Sequence, residues 1–299
     1  MYDIIIIGAG IAGLTSAIYS LNANKKVLVL EKQSYGGQII NSSMVNNYPG
    51  LPKVNGFILA TAIYNQALDL GCEIKYEEVE KITTEKEVFT NKNKYQAKAI
   101  IIATGVISNK LNIENEDKYI GKGISYCATC DGNFYKNKDV MVVGGGNTAL
   151  EEALYLSDIC NKVYLIHRRD EFRGQRSYLD KLKEKANVEI ITNSQVKKII
   201  GENMLKNVEI INNDSITRTI SVSGLFVAVG RVPSNVIFKD IIELNDLGYI
   251  KSDSNCHTNI DGIFVAGDVK DKKLRQLVTA ASDGAIAALE AINYINNWQ

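Results

Sequence analysis

The sequence predicts an α/β fold made of two nucleotide-binding, Rossmann-like units of three layers each, the second inserted into the first. Three observations predict it. A β-branched run that ends in a glycine-rich turn and leads into a helical apolar stripe occurs twice, first from Ile4 and again from Val140. The spacing from Gly8 to Glu31 equals the spacing from Gly144 to His167, so the two copies overlay residue for residue, as an internal duplication would. Two later strands, Ala99 to Ala103 before Thr104-Gly105 and Leu225 to Val229 before Gly230, close the two halves in the same style. The first unit is expected over 1–108 and 236–299, and the second over 112–232.

The first element is Asp3-Ile4-Ile5-Ile6-Ile7. A continuous apolar run suits a strand buried on both faces, as in a parallel sheet. Gly8-Ala9-Gly10-Ile11-Ala12-Gly13 follows, and its G-x-G-x-x-G spacing has a physical reason at each glycine. The first permits the tight turn, the second lets a pyrophosphate approach the backbone, and the third lets helix and strand pack closely. Leu14, Ala17, Ile18 and Leu21 then form one apolar stripe of a helix, and Val27 to Leu30 is the returning strand. Glu31 ends that strand where a carboxylate accepts hydrogen bonds from both ribose hydroxyls of an adenosine. Together these features predict a dinucleotide site, and a plain tight turn is the structural alternative.

The second copy runs from the strand Asp139 to Val143 through Gly144-Gly145-Gly146-Asn147-Thr148-Ala149 to a helix bearing Ala153 and Leu154, then to the strand Val163 to Ile166. Where the first copy has Glu31, this one has His167-Arg168-Arg169, with Arg173 close behind. A carboxylate would repel a 2′-phosphate, whereas cationic donors bind one through charge-assisted, partly bidentate hydrogen bonds. The second nucleotide is therefore expected to be NADPH, the alternative being a solvated basic patch. Two different dinucleotides on one chain imply electron transfer between them. A pyridine nucleotide delivers hydride and a flavin accepts it, which places FAD on the first unit. The polar segment Asn207 to Arg218 reads as a hairpin tip or surface loop. A last strand, Ile263 to Asp268, precedes a helix from about Gln276 whose stripe includes Ala280, Ala281, Gly284, Ala288 and Ile292.

The cysteines are Cys72, Cys127, Cys130, Cys160 and Cys256, an odd number that argues against a secreted disulfide framework. Cys127-Ala128-Thr129-Cys130 is a C-x-x-C pair, which serves either as half of a zinc site or as a redox dithiol. A four-ligand zinc site would need two more ligands, and there is no second C-x-x-C; the two histidines, His167 and His257, lie in the basic cluster and beside Cys256. A cycling disulfide suits a chain that already carries a hydride donor and a flavin. Asp131, directly after Cys130, could supply or remove the proton that each two-electron step requires, or be a turn residue before Gly132. The other three cysteines read as ordinary thiols.

Gly8-x-Gly10-x-x-Gly13, Gly36-Gly37-Gln38, Tyr48-Pro49-Gly50, Ala103-Thr104-Gly105, Cys127-Ala128-Thr129-Cys130-Asp131-Gly132, the Gly144 to Ala149 turn, His167-Arg168-Arg169 with Arg173, Ala266-Gly267-Asp268 and Arg275-Gln276 stand in this order over nearly the whole chain. In that order they resemble the motifs of the bacterial low-molecular-weight thioredoxin reductases. The resemblance implies a homodimeric flavoprotein in which NADPH reduces FAD, FAD reduces a Cys127–Cys130 disulfide, and the dithiol reduces thioredoxin. It also implies that Gly37 and Gln38 lie near the flavin, that Asp268 holds the ribityl chain, and that Arg275 and Gln276 lie close to the flavin at the start of the last helix. Asn47, Gly267 and Leu277 complete the expected FAD set, and Gly144, Gly146, Asn147, Thr148, Ala149, His167, Arg168, Arg169 and Arg173 the NADPH set; the catalytic set is Cys127, Cys130 and Asp131. No metal is expected. The cysteines lie shortly before Gly144, so the disulfide and the nicotinamide site ride on one inserted unit. Both cannot face one flavin at once, and the family's alternation between two domain arrangements follows from that layout. Ile11 departs from the proline that many members have after the second glycine, which leaves the amide pattern of the turn intact.

The composition is that of an ordinary globular chain: 299 residues, 45% hydrophobic, with 34 basic against 34 acidic residues. Zero net charge removes the general field on which a nucleic-acid or anionic-membrane binder relies. The chain opens on Met1 and almost at once on the Ile4 to Ile7 strand, without a signal-type segment or a membrane-length apolar run, so a cytoplasmic protein is expected.

Overall fold

The computed structural model describes every residue except Ser43, Met44, Asn46, Ser234, Trp298 and Gln299. The chain forms two compact units, one of 1–40, 48–107 and 232–299 and the other of 41–47 and 108–231. The segment 41–47, expected with the first unit, thus groups with the second.

In the first unit, β1 (Tyr2–Ile7) leads through the glycine turn into α1 (Ile11–Asn22) and back along β2 (Val27–Glu31). Then come α2 (Gly56–Asp69), β3 (Glu73–Tyr76), β4 (Val79–Ile82), β5 (Glu87–Thr90), β6 (Lys94–Ile102) and the short β7 (Val106–Ser108). β1 lies between β2 and β6 in a parallel sheet, with Ile4 opposite Val27 on one side and Ala99 on the other. Its unbroken apolar sequence is explained by where alternate side chains go. Ile4 and Ile6 join a core with α1 and the C-terminal helix, while Ile5 and Ile7 join another with Val79, Val88 and Phe238. Both faces are covered, so no position is left for a polar residue. β6 is long enough to serve two partners: its second half continues the parallel sheet, and its first half pairs antiparallel with β5. The β4-β5-β6 meander is the layer opposite the helices.

The second unit repeats the scheme with β8 (Ile124–Ser125), α3 (Ala128–Asp131), β9 (Asp139–Val143), α4 (Asn147–Ser157), β10 (Lys162–Ile166), α5 (Arg176–Lys183), β11 (Val188–Ile191), β12 (Ser194–Gly201), β13 (Leu205–Asn212), β14 (Thr217–Ser221) and β15 (Gly224–Val227). The parallel sheet has the order β11-β10-β9-β15-β8, and β12-β13-β14 form an antiparallel meander. Val140 and Val142 face α4, whereas Met141 and Val143 face the meander through Ile199 and Val208.

The segment Asn207 to Arg218 is the end of an antiparallel hairpin, as one of the two expected readings has it, but only 213–216 is its tip; the rest belongs to the arms β13 and β14. Val208, Ile210 and, just beyond it, Ile220 are buried, and the residues between them face outward. A strand wet on one face carries half its residues polar, which in a short window looks like a loop. The chain then passes through β16 (Arg231–Pro233) and β17 (Ile263–Val265), which adds to β6, and ends in α6 (Leu277–Asn296). α6 packs on α1 so closely that a Cβ at Gly284 would strike the Ala12 carbonyl oxygen. Among the described residues no helix is long and apolar enough to cross a membrane.

Candidate functional site

The turn between β1 and α1 shows why its three glycines differ. Gly8 has φ +109°, and a Cβ there would strike the Ala103 carbonyl; a Cβ at Gly13 would strike the Gly8 carbonyl. At Gly10 no atom lies within 4 Å of an added Cβ, and Gly10 begins α1 without a capping side chain. An open, uncapped helix start is what the pyrophosphate of a dinucleotide fits. Glu31 braces the turn: one carboxylate oxygen accepts the Ala9 N–H at 2.9 Å and the other accepts the Gln33 N–H at 2.9 Å. Gly36 donates to the Ala9 carbonyl at 2.7 Å, which brings Gly37 (φ +58°) beside Gly10. Gln38 follows, exposed.

Gly267, with φ +85°, lies against Ala12 at the start of α1, and its N–H donates to Asp283 Oδ2 at 3.1 Å. Lys272 pairs with the same oxygen at 2.6 Å, so the Gly267-Asp268 turn is tied to α6 through a partly buried ion pair. Arg275 folds back over that turn, donating to the carbonyls of Asp268 and Lys270 at 3.0 Å each, with its guanidinium 4.0 Å from the Tyr249 ring. Gln276 caps α6 in a capping box with Thr279, and Leu277 is the first helical residue. Gly8, Gly10, Gly13, Gly37 and Gly267 are therefore gathered around one helix start, whereas exposed Asn47 lies in the segment that groups with the other unit.

A pair of substitutions separates the two kinds of glycine. Gly10→Ala is expected to keep the melting temperature of the apoprotein while weakening, about tenfold or more, retention of a dinucleotide of the kind this open helix start fits, a change of roughly 1.4 kcal/mol. Gly13→Ala is expected to lower the melting temperature itself, because its methyl meets backbone. Thermal melts with flavin-to-protein absorbance ratios check both.

The second turn is built alike. Gly144, with φ +155°, would drive a Cβ into the Ala228 carbonyl, while Gly146 opens α4 uncapped with no atom within 4 Å. Asn147 accepts the Gln175 N–H at 2.7 Å, Thr148 is exposed and Ala149 is buried against Gly144. His167 is buried beneath the turn, where its ring fills the space that a Gly145 side chain would need. Its Nε2 lies 3.1 Å from the Glu171 carbonyl, and burial together with the neighbouring arginines lowers its pKa below the ordinary value. A neutral imidazole that shapes the turn is the consequence. Arg168, Arg169 and Arg173 are exposed and form no ion pair among the described residues. Arg173 and Gly174 both donate backbone N–H groups to the Gly145 carbonyl, at 2.8 and 3.0 Å, which fixes the arginine segment over the turn.

Cys127 and Cys130 are joined as a disulfide across α3, with a Cα separation of 5.3 Å. Ser125, at the end of β8, donates to Asp131 Oδ2 at 2.6 Å and accepts the Cys127 N–H at 3.1 Å. Asp131 Oδ1 is buried without a hydrogen-bond partner among the described residues. Burial raises the Asp131 pKa above the usual carboxylate range, against the lowering effect of the Ser125 bond. Burial thus favours the neutral form of this carboxyl, against the pull of the Ser125 bond toward the charged form. Glu152 reaches from α4 to accept the Ala128 N–H at 3.3 Å, and Gly132 packs against Tyr155 and Leu156 of the same helix. Sequence reasoning did not find Ser125 or Glu152. The signal for Ser125 is its place two residues before Cys127; Glu152 has no local signal, because it arrives from another element. Cys72, Cys160 and Cys256 are buried free thiols, and burial pushes the first two up to about 12 and about 11.

Residues 2–284 match the pyridine nucleotide-disulphide oxidoreductase family. Among curated relatives, a 34.2 kDa protein in the rubredoxin operon of Clostridium pasteurianum is 43% identical over 298 residues, covering 98% of this chain and 97% of that one. The thioredoxin reductase of Listeria monocytogenes is 40% identical over 300 residues, covering 99% of this chain and 94% of that one. The crystal structure of thioredoxin reductase from Streptococcus pyogenes superposes with a TM-score of 0.95 at 39% identity, covering 100% of this chain and 99% of that one.

Proposed function

The chain belongs to the pyridine nucleotide-disulphide oxidoreductases, and from that membership we propose that it is a thioredoxin-disulfide reductase drawing electrons from NADPH through FAD. One observation carries the reading: the Cys127–Cys130 disulfide stands next to a buried carboxyl able to hold a proton, on the same unit as the arginine-flanked glycine turn. Bound FAD would supply the two-electron link between nicotinamide and disulfide.

The unit of 1–108 and 236–299 is the FAD-binding domain in this reading. Gly8, Gly10 and Gly13 admit the pyrophosphate, Glu31 orients the adenosine ribose, and Gly37, Gln38, Gly267, Asp268, Arg275, Gln276 and Leu277 surround the rest. The unit of 112–232 binds NADPH. Gly144, Gly146, Asn147, Thr148 and Ala149 receive its pyrophosphate, His167 supports that turn from beneath, and Arg168, Arg169 and Arg173 hold the 2′-phosphate. Opening the disulfide with two electrons leaves thiolate, and Asp131 hands a proton to sulfur at that step. Homodimeric assembly and a cytoplasmic location belong to the same reading, and exposed Phe57 and Ile58 on α2 offer a second copy apolar surface to cover.

The purified protein is expected to be yellow and to oxidise NADPH in step with reduction of a thioredoxin disulfide, with NADH a poor substitute. Flavin bleaching by NADPH with no thioredoxin reduction would refute the acceptor, and equal rates with both nucleotides would refute the donor.

A further inference from the structure

We propose that Ser125 is the positioning residue for proton transfer at the Cys127–Cys130 disulfide, because its one hydroxyl holds Asp131 in both charge states while tethering the backbone of Cys127. The proposal rests on Asp131 being the proton donor.

The geometry around Ser125 Oγ is specific. It lies 2.6 Å from Asp131 Oδ2, 3.1 Å from the Cys127 nitrogen and 3.3 Å from the Cys127 carbonyl oxygen. A serine hydroxyl has one hydrogen and two lone pairs. The Cys127 N–H takes one lone pair, which leaves one lone pair and one hydrogen to share between Asp131 and the Cys127 carbonyl. When Asp131 is ionised, the serine hydrogen points at Oδ2, and a 2.6 Å contact is the length of a charge-assisted O–H···O⁻ bond. When Asp131 carries a proton, it sits on Oδ1, the oxygen that has no other partner, and Oδ2 still accepts the serine hydrogen, now as a weaker neutral bond. Every group around Ser125 Oγ stays satisfied in both states, and the carboxyl need not move to change its charge.

The proton balance follows. Two electrons, which bound FAD would supply, break the S–S bond and leave two thiolates; Asp131 gives the proton on Oδ1 to one of them, forming a thiol, and becomes a carboxylate. The Ser125 hydrogen is already on Oδ2, and its bond becomes charge-assisted at the same step. Asp131 Oδ1 is buried with no hydrogen-bond partner among the described residues, so no hydrogen bond at that oxygen can replace the one from Ser125. The other titratable groups nearby are Tyr135, on the turn after α3, and Glu152 and Tyr155, both from α4. Burial and Asp131 push Tyr135 up to about 12, which keeps it neutral, and the Glu152 carboxylate is bonded to the Ala128 N–H at the opposite end of α3. A hydroxyl that only capped the Cys127 N–H would add stability without touching the charge of Asp131.

The test is the pH dependence of kcat/KM for thioredoxin in the holoenzyme. Asp131→Asn identifies the limb that belongs to Asp131, by removing it. In Ser125→Ala that limb is expected to move to higher pH by about one unit, since losing a bond to the charged form raises a carboxyl pKa. Ser125→Thr, which keeps the hydroxyl, restores its position. Where the alanine variant does not fold, Ser125→Thr against Ser125→Val, matched in shape, reads the same difference. A limb unmoved in the hydroxyl-free variants overturns the proposal and leaves Asp131 as the acid; a limb that survives Asp131→Asn overturns the role of Asp131 itself, and the proposal with it.

Discussion

Replacing Cys130 with serine is expected to reduce thioredoxin turnover by about 10³-fold or more while the flavin is still bleached by NADPH at close to the wild-type rate. Two electrons leave this chain as a dithiol becoming a disulfide, and a single sulfur cannot complete that cycle. Serine is nearly isosteric with cysteine, and α3 is held from outside the pair by Ser125 and Glu152, so the fold around the site should survive. The nucleotide turns carry neither cysteine, so nicotinamide binding is untouched. Stopped-flow flavin absorbance gives one half of the result and a thioredoxin-coupled NADPH assay the other. Retained thioredoxin turnover would mean that the disulfide is incidental to the reaction. Loss of both signals would mean that the disulfide is needed for more than the final transfer.

How much was legible in the sequence depends on how local the cause is. Ile4 to Ile7 reads as a doubly buried strand because each side chain must choose one of two cores, and both cores demand apolar residues. The glycines of both turns read as turns because clashes with Ala103, Gly8 and Ala228 are set by nearby backbone. How far the hairpin arms β13 and β14 reach into the polar segment was illegible, because one wet face gives them the polarity of a loop. The support of the disulfide was illegible for a different reason. Ser125 and Glu152 come from β8 and α4, and only the folded chain brings them to the two ends of α3. The role of His167 shows the limit of motif reading most clearly. It stands in a run of cations, yet burial beneath Gly145 makes it a neutral wedge under the turn.

That distinction between His167 and its neighbours yields the second large effect. Joint replacement of Arg168, Arg169 and Arg173 by alanine is expected to raise KM for NADPH by about 10²-fold or more, at roughly tenfold for each of two or three charge-assisted hydrogen bonds to the 2′-phosphate. KM for NADH should change little, because that nucleotide has no 2′-phosphate for the arginines to meet. The side chains are exposed and form no ion pair among the described residues, so their removal takes away donors without unfolding anything. Exposure also means that salt screens them. The wild-type KM for NADPH should therefore rise with ionic strength, and that of the triple variant should not. His167→Ala must behave otherwise: it opens a cavity beneath the turn proposed to receive the pyrophosphate common to both nucleotides, and should weaken NADPH and NADH in the same proportion. Steady-state kinetics with both nucleotides at two salt concentrations separate the two kinds of residue. If the triple variant loses NADH as severely as NADPH, the arginines support the turn and do not read the phosphate.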